Sequence, residues 1–202
     1  MEEKVFIPVG ENILEGRLAV GDGPGAGLIT HPHPLFGGSM DNNVVWTVKR
    51  AGEERRWTML RFNFRGVGQS TGKYGEGVEE VADVAAALNF LKGRAGGPYY
   101  VIGYSFGAAV AARALLQGLE ADGLWLIAPP IAFMEMNFLP QTPRLQLIVV
   151  GEADSLCPQA QLHTILAATP AAPSLVVIPG ADHFFVGQED KLFQILRDYE
   201  PR

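Results

Sequence analysis

The sequence predicts an α/β protein in which a mainly parallel central sheet is flanked by helices, with an N-terminal antiparallel hairpin and no lid domain. Three observations lead there. Short apolar runs that read as buried strands alternate with stretches whose apolar residues recur at helical spacing. One of these runs passes straight through Gly103-Tyr104-Ser105-Phe106-Gly107 into Ala108, Ala109, Val110, Ala111 and Ala112, the pattern of a strand, a sharp turn and a helix. The loop around His33, Ser105, Asp154 and His183 each fall at the end of a predicted strand, where a parallel sheet gathers its ligands.

The elements follow in order. Val5, Ile7 and Val9, then Ile13, Leu14, Leu18 and Val20, lie on either side of Gly10-Glu11-Asn12 and predict the hairpin. Gly27 to Thr30 is a short buried strand that runs into His31-Pro32-His33-Pro34-Leu35-Phe36-Gly37-Gly38, a loop stiffened by proline and opened by glycine. Val44, Val45, Val48 and Ala51 predict a helix from about Asn43 to Arg55, and Trp57 to Phe64 predicts the next strand. The segment Arg65 to Lys73 fails as a phosphate-binding loop, because Val67 stands where the first glycine belongs and Tyr74 where Ser or Thr belongs. It reads instead as a Gly-rich loop in which Arg65 ties loops together. Val78, Val81, Val84, Ala85, Leu88 and Leu91 predict the inner face of a helix, with Glu79, Glu80 and Asp83 outward. Tyr99 to Tyr104 and Gly123 to Ala128 are strands around an apolar helix at 106–117. Leu145 to Val150 and Ser174 to Ile178 are the last strands, with a helix from Pro158 to Ala168 between them. Leu192, Ile195, Leu196 and Tyr199 mark the closing helix.

The Gly-x-Ser-x-Gly spacing has a chemical reason. A serine hydroxyl attacks a carbonyl only if it stands clear of the backbone and a base can take its proton, so it sits at the tip of a strained turn. Side chains at Gly103 and Gly107 would collide with the neighbouring strand or the incoming helix. The amide of Phe106, at the helix start, is placed to meet an oxyanion. A second donor is expected from the loop after the first parallel strand. Pro32 and Pro34 have no N–H, which leaves His33 or Leu35, with His33 preferred. As base, His31 and His33 sit on the wrong loop and His163 falls inside a predicted helix, so His183 is expected. Asp154, just past a strand and a glycine turn, is the expected acid ahead of Glu152 and Asp182. The short insert Pro129 to Arg144 lies above this site. Leu35, Phe36, Tyr104, Phe133 and Phe184 are the candidate substrate-contacting side chains.

Composition narrows the classes. At 202 residues, one domain spanning 1–202 with a substantial core is expected. A net charge of -6 with scattered basic residues argues against a nucleic-acid partner. Met1-Glu2-Glu3-Lys4 has no basic, then apolar, signal pattern, and no apolar run reaches the roughly 18 residues of a membrane span. A cytoplasmic protein without a membrane partner is therefore expected. Cys157 is the sole cysteine, which leaves no internal disulfide and no cysteine cluster for a metal; it is expected to be a small packing residue.

These segments resemble the α/β-hydrolases, and more narrowly the small lidless bacterial branch related to dienelactone hydrolases. The matching residues are His31-Pro32-His33-Pro34 with Gly37 to Asn42, Arg61 to Ser70, Gly103 to Gly107, Gly151 to Asp154 and Gly180 to Phe185. The order Ser, Asp, His is that of this architecture. Dienelactone hydrolases proper use Cys where this chain has Ser105, so their substrate is not carried over. The expectation is a serine carboxylesterase acting on a small-molecule, short-chain ester through an acyl-enzyme, with no cofactor and no metal. Thioester, lactone or amide cleavage by the same residues, or a non-catalytic binding module on the same fold, are the alternatives. Monomer and homodimer both remain open.

Overall fold

A computed structural model describes residues 2–169 and 171–201; Met1, the first residue of the N-terminal stretch considered above, lies outside them. Strands β1 (Glu2–Val9) and β2 (Asn12–Ala19) form the expected antiparallel hairpin, turning through Gly10 at φ 56°. They continue into β3 (Ala26–Thr30), β4 (Thr58–Phe62), β5 (Tyr99–Tyr104), β6 (Gly123–Ile127), β7 (Leu145–Gly151) and β8 (Ser174–Ile178). One eight-stranded sheet results, in the order β1-β2-β4-β3-β5-β6-β7-β8. The β1–β2 and β2–β4 pairings are antiparallel and the other five are parallel.

Alternation along the central strands sorts the core into two layers. On β5, Val101 packs to one side while Tyr100, Ile102 and Tyr104 pack to the other; on β6, Leu124 and Leu126 oppose Trp125 and Ile127. The first layer is closed by α2 (Glu80–Lys92), α3 (Phe106–Leu116) and Leu162 of α4 (Gln159–Leu166). The second is closed by α1 (Asn43–Glu54) and α5 (Glu189–Asp198). Helix α3 packs against both the sheet and α2 and is buried along nearly its whole length, which is why its sequence is apolar nearly all round. Among the described residues no helix is long and apolar enough to cross a membrane.

The topology creates the crevice. Strand β3 sits between β4 and β5, yet the chain leaves β3 toward α1 on one face and leaves β5 into α3 on the other. The two loops part at the carboxyl ends of adjacent parallel strands, the position at which open α/β sheets bind ligands.

Helix α2 departs from the sequence expectation. Val78 precedes the helix and is 65% exposed, whereas Glu80 and Asp83 are fully buried. The inward stripe is Glu80, Asp83, Val84, Ala87, Leu88 and Leu91, at the i, i+3, i+4, i+7, i+8, i+11 positions of one helical face. Both carboxylates have partners that the pattern did not reveal. Asp83 accepts from the Arg65 guanidinium and from the Arg65 backbone N–H, and Glu80 accepts from the amides of Gly75 and Gly77 at 2.7 and 2.8 Å. Arg65, which also pairs with Glu79, ties the β4 loop to α2 as expected.

Candidate active site

The elbow is built by close backbone approach. Ser105 joins β5 to α3 at φ 53°, ψ −122°, a conformation that costs on the order of 1–3 kcal/mol in a non-glycine residue. Its N–H donates to Ile127 O at 2.9 Å, which fixes the turn against β6. A Cβ on Gly103 would lie 2.6 Å from Ala108 Cα, and one on Gly107 would lie 2.6 Å from Thr30 O. Both positions therefore require glycine, for the reason read from the motif. Thr30 also donates its hydroxyl to Gly107 O at 2.9 Å, binding the end of β3 to the start of α3.

Ser105 Oγ lies 2.9 Å from His183 Nε2, and His183 Nδ1 lies 2.9 and 3.0 Å from the two carboxylate oxygens of Asp154. All three residues are buried. Asp154 Oδ1 also accepts from the amides of Leu156 and Cys157 at 2.9 and 3.0 Å, so the carboxylate cannot swing away from the imidazole. The loop carrying His183 is held from three sides. Tyr104 donates its hydroxyl to His183 O at 3.0 Å, Asn43 Nδ2 donates to Phe184 O at 3.0 Å, and Asp182 accepts from the amides of Phe184 and Phe185. Such a chain lets a hydroxyl give its proton to an imidazole while the carboxylate stabilises the resulting cation.

The rival residues have other work. Asp182 caps its own turn, Glu152 accepts from Gly180 N–H, and His163 is exposed on α4. Burial, with the Asp154 carboxylate adding to it, pushes the Cys157 thiol up, so that it stays an uncharged packing group. Among the described residues no cluster of three or more His, Cys, Asp or Glu is arranged to hold a metal ion.

On the loop after β3, His33 caps a 3₁₀ turn, Pro34–Phe36, by accepting Leu35 N–H on its own Nδ1 at 3.2 Å. The Leu35 amide is thereby occupied. The amides of His33 and Phe106 donate to no group among the described residues.

His31 serves the scaffold. It is fully buried, with Nδ1 2.6 Å from Pro32 O and Nε2 accepting Phe64 N–H at 3.0 Å. These partners fix a neutral ring protonated at Nδ1. Burial lowers its pKa from the ordinary 6.5 to about 4, against the smaller opposing effect of the Pro32 carbonyl. Protons then bind the unfolded chain more readily than the folded one between those values. The contribution of His31 to stability is complete above pH 6.5, declines as pH falls, and is lost below about 4, a swing of about 3 kcal/mol. Urea midpoints measured from pH 7.5 to 4 should show a shallower pH slope for His31→Gln than for the wild type.

A cavity of about 540 Å³ opens over Ser105 and His183. Phe36, Tyr104, Phe133 and Phe184 line it, whereas Leu35, 66% exposed, is not part of its wall. Pro130, Met134, Leu156 and Asn42 line it as well, and no spacing in the sequence marks them. The insert above the site thus divides its apolar residues, Phe133 and Met134 facing the cavity while Ile131, Met136 and Leu139 enter the core. Among the described residues no Asp, Glu, Lys or Arg lines the cavity.

Fold and site together define an α/β hydrolase, and the chain belongs to that superfamily. Within it, residues 50–163 match the family described as serine aminopeptidase, S33, so the chain is a member of that family; the matched span holds Ser105 and Asp154 and ends before His183. An uncharacterised protein of Rickettsia prowazekii, RP471, is 33% identical over 201 residues, covering 94% of this chain and 84% of its own. An α/β serine hydrolase homologue from Coxiella burnetii superposes with a TM-score of 0.88 at 34% identity, over 96% of this chain and 95% of that one. An α/β serine hydrolase without a lid from Xanthomonas campestris gives 0.87 at 30% identity, over 97% and 92%.

Proposed function

We propose that this protein is a serine hydrolase that cleaves carboxylic esters with small or short apolar acyl groups. The observation that carries the reading is the continuous hydrogen-bonded chain from Ser105 through His183 to Asp154 at the wall of an apolar cavity. His183 takes the Ser105 proton as Oγ attacks the ester carbonyl, and the amides of Phe106 and His33 receive the oxyanion. His183 then passes that proton to the departing alcohol, activates a water, and the acyl-enzyme is hydrolysed to the carboxylic acid and free Ser105.

The lining favours an ester over an aminoacyl substrate, despite the family's description. An aminopeptidase must hold a substrate ammonium, and burying that charge without a carboxylate partner is costly. This cavity presents aromatic faces, proline and methionine, with no acidic side chain among the described residues. A chromogenic ester panel of increasing acyl length, run beside an amino-acid anilide, separates the two. Turnover should peak among the short esters and be absent on the anilide, and a fluorophosphonate should label Ser105, located by peptide mass mapping. A folded protein that cleaves no ester and takes no label at Ser105 defeats the proposal; cleavage of the anilide alone replaces the ester by a peptide.

A further inference from the structure

We propose that Tyr74 is a positioning residue for the oxyanion-binding loop, acting through the imidazole of His33. The inference rests on the reading of the His33 amide as an oxyanion donor. Tyr74 lies 41 positions from His33, directly after the segment that failed as a phosphate loop, and its hydroxyl is 3.0 Å from His33 Nε2. Because His33 Nδ1 accepts Leu35 N–H, a neutral ring carries its proton on Nε2 and donates it to the Tyr74 hydroxyl oxygen. Both ring nitrogens are thereby committed. The carbonyl of the same residue is committed too, accepting from the amides of Phe36 and Gly38 at 3.1 and 3.0 Å. Of the polar groups of His33, only its backbone N–H is left without a partner among the described residues.

Tyr74 is itself held from behind. The fully buried Glu80 accepts from Gly75 and Gly77, and Arg113 of α3 donates to Gly77 O at 2.8 Å. The ring of His33 is wedged among Phe36, Tyr74 and Phe106, with centroids 4.7, 5.1 and 4.9 Å away. A rigid support thus runs from a buried carboxylate on α2, through the Gly75–Gly77 turn and the Tyr74 hydroxyl, to the ring of His33, a residue of the cavity wall. Oxyanion donors are effective only when fixed before charge develops, so loosening this support should weaken transition-state binding and leave substrate binding alone.

The test is kinetic. Tyr74→Phe keeps the ring packing and removes the hydrogen bond. It should lower kcat about tenfold with KM unchanged, and weaken an alkyl boronic acid, which forms a tetrahedral adduct at Ser105, by the same factor. His33→Ala, which retains the amide but loses the ring, should reproduce the loss, and the double variant should be no worse than either single one. Thermal melts of each variant establish that it is folded, and the His33→Ala result reads the same link from the other end should Tyr74→Phe not fold. A Tyr74→Phe enzyme with unchanged kcat, a change in KM alone, or a further tenfold loss in the His33→Ala background would overturn the proposal while the ester reading stands. A wild type that turns over no ester and takes no fluorophosphonate removes both.

Discussion

Replacing Asp154 with Asn should lower kcat on a short ester by about 10,000-fold, and replacing Ser105 with Ala by roughly a millionfold, with both variants folded. The size of the Asn effect follows from the way this carboxylate is held. Oδ1 accepts from the amides of Leu156 and Cys157, which can bond only an acceptor. An Asn side chain would keep its carbonyl oxygen on those amides and turn its NH₂ toward His183 Nδ1. That NH₂, in the place of the nearer oxygen, favours an imidazole that accepts at Nδ1 and carries its proton on Nε2, facing Ser105 Oγ, the tautomer that cannot act as base. Geometry is preserved while the proton is on the wrong nitrogen. Fluorophosphonate labelling should slow along with turnover, and the thermal midpoint should move little, because both hydrogen bonds to the turn survive. A loss of less than about tenfold in the Asn variant would mean that His183 draws its tautomer from another group.

Much of this was legible because it depends on neighbours in sequence. Strand β5 runs from Tyr99 to Tyr104 as read, since a run of apolar residues between glycines admits little else in a parallel sheet. The elbow was legible for the same reason: Gly103 and Gly107 clash with backbone a few residues away or on the adjacent strand. What escaped were contacts made at a distance. Asn43 supports the His183 loop from 141 positions away and sits in an unremarkable first turn of α1. On α2 the rule that charges face water placed Val84, Leu88 and Leu91 inward correctly but turned Glu80 and Asp83 outward, because their partners are two backbone amides and Arg65 on the preceding loop. The i, i+3, i+4 spacing of Glu80, Asp83 and Val84 was present in the sequence, but it becomes readable only once a cation is known to lie opposite. Leu35 stands outside the cavity wall while its neighbour Phe36 is on it, as a 3₁₀ turn sends successive side chains in very different directions.

Asp83→Ala should cost 3–5 kcal/mol of stability, about as much as any single polar substitution in the chain. Asp83 is fully buried and Arg65 is 7% exposed, so removing the carboxylate leaves a guanidinium without its main partner in a region that excludes water. Four contacts go at once: the Arg65 Nη2 bond at 2.7 Å, two from Nε at 3.1 Å and the Arg65 backbone N–H at 3.0 Å. Glu79 offers no full substitute, because its side chain is largely exposed and pairs from the solvent side. The charge left unpaired, more than the loss of the bond, sets the size of the effect. Removing both charges should therefore hurt less than removing one: Arg65→Met with Asp83→Leu is expected to recover most of the loss in urea denaturation, short of the amide that Asp83 also satisfied. The double variant also separates stability from activity. It restores the packing of α2 but leaves the loop from Phe64 to Tyr74 tied to that helix by fewer bonds, so its kcat should stay below the wild type even where its midpoint does not. A single-variant cost under about 1 kcal/mol would place the pair with surface ion pairs and remove α2 as the rigid support for the loop beside the cavity.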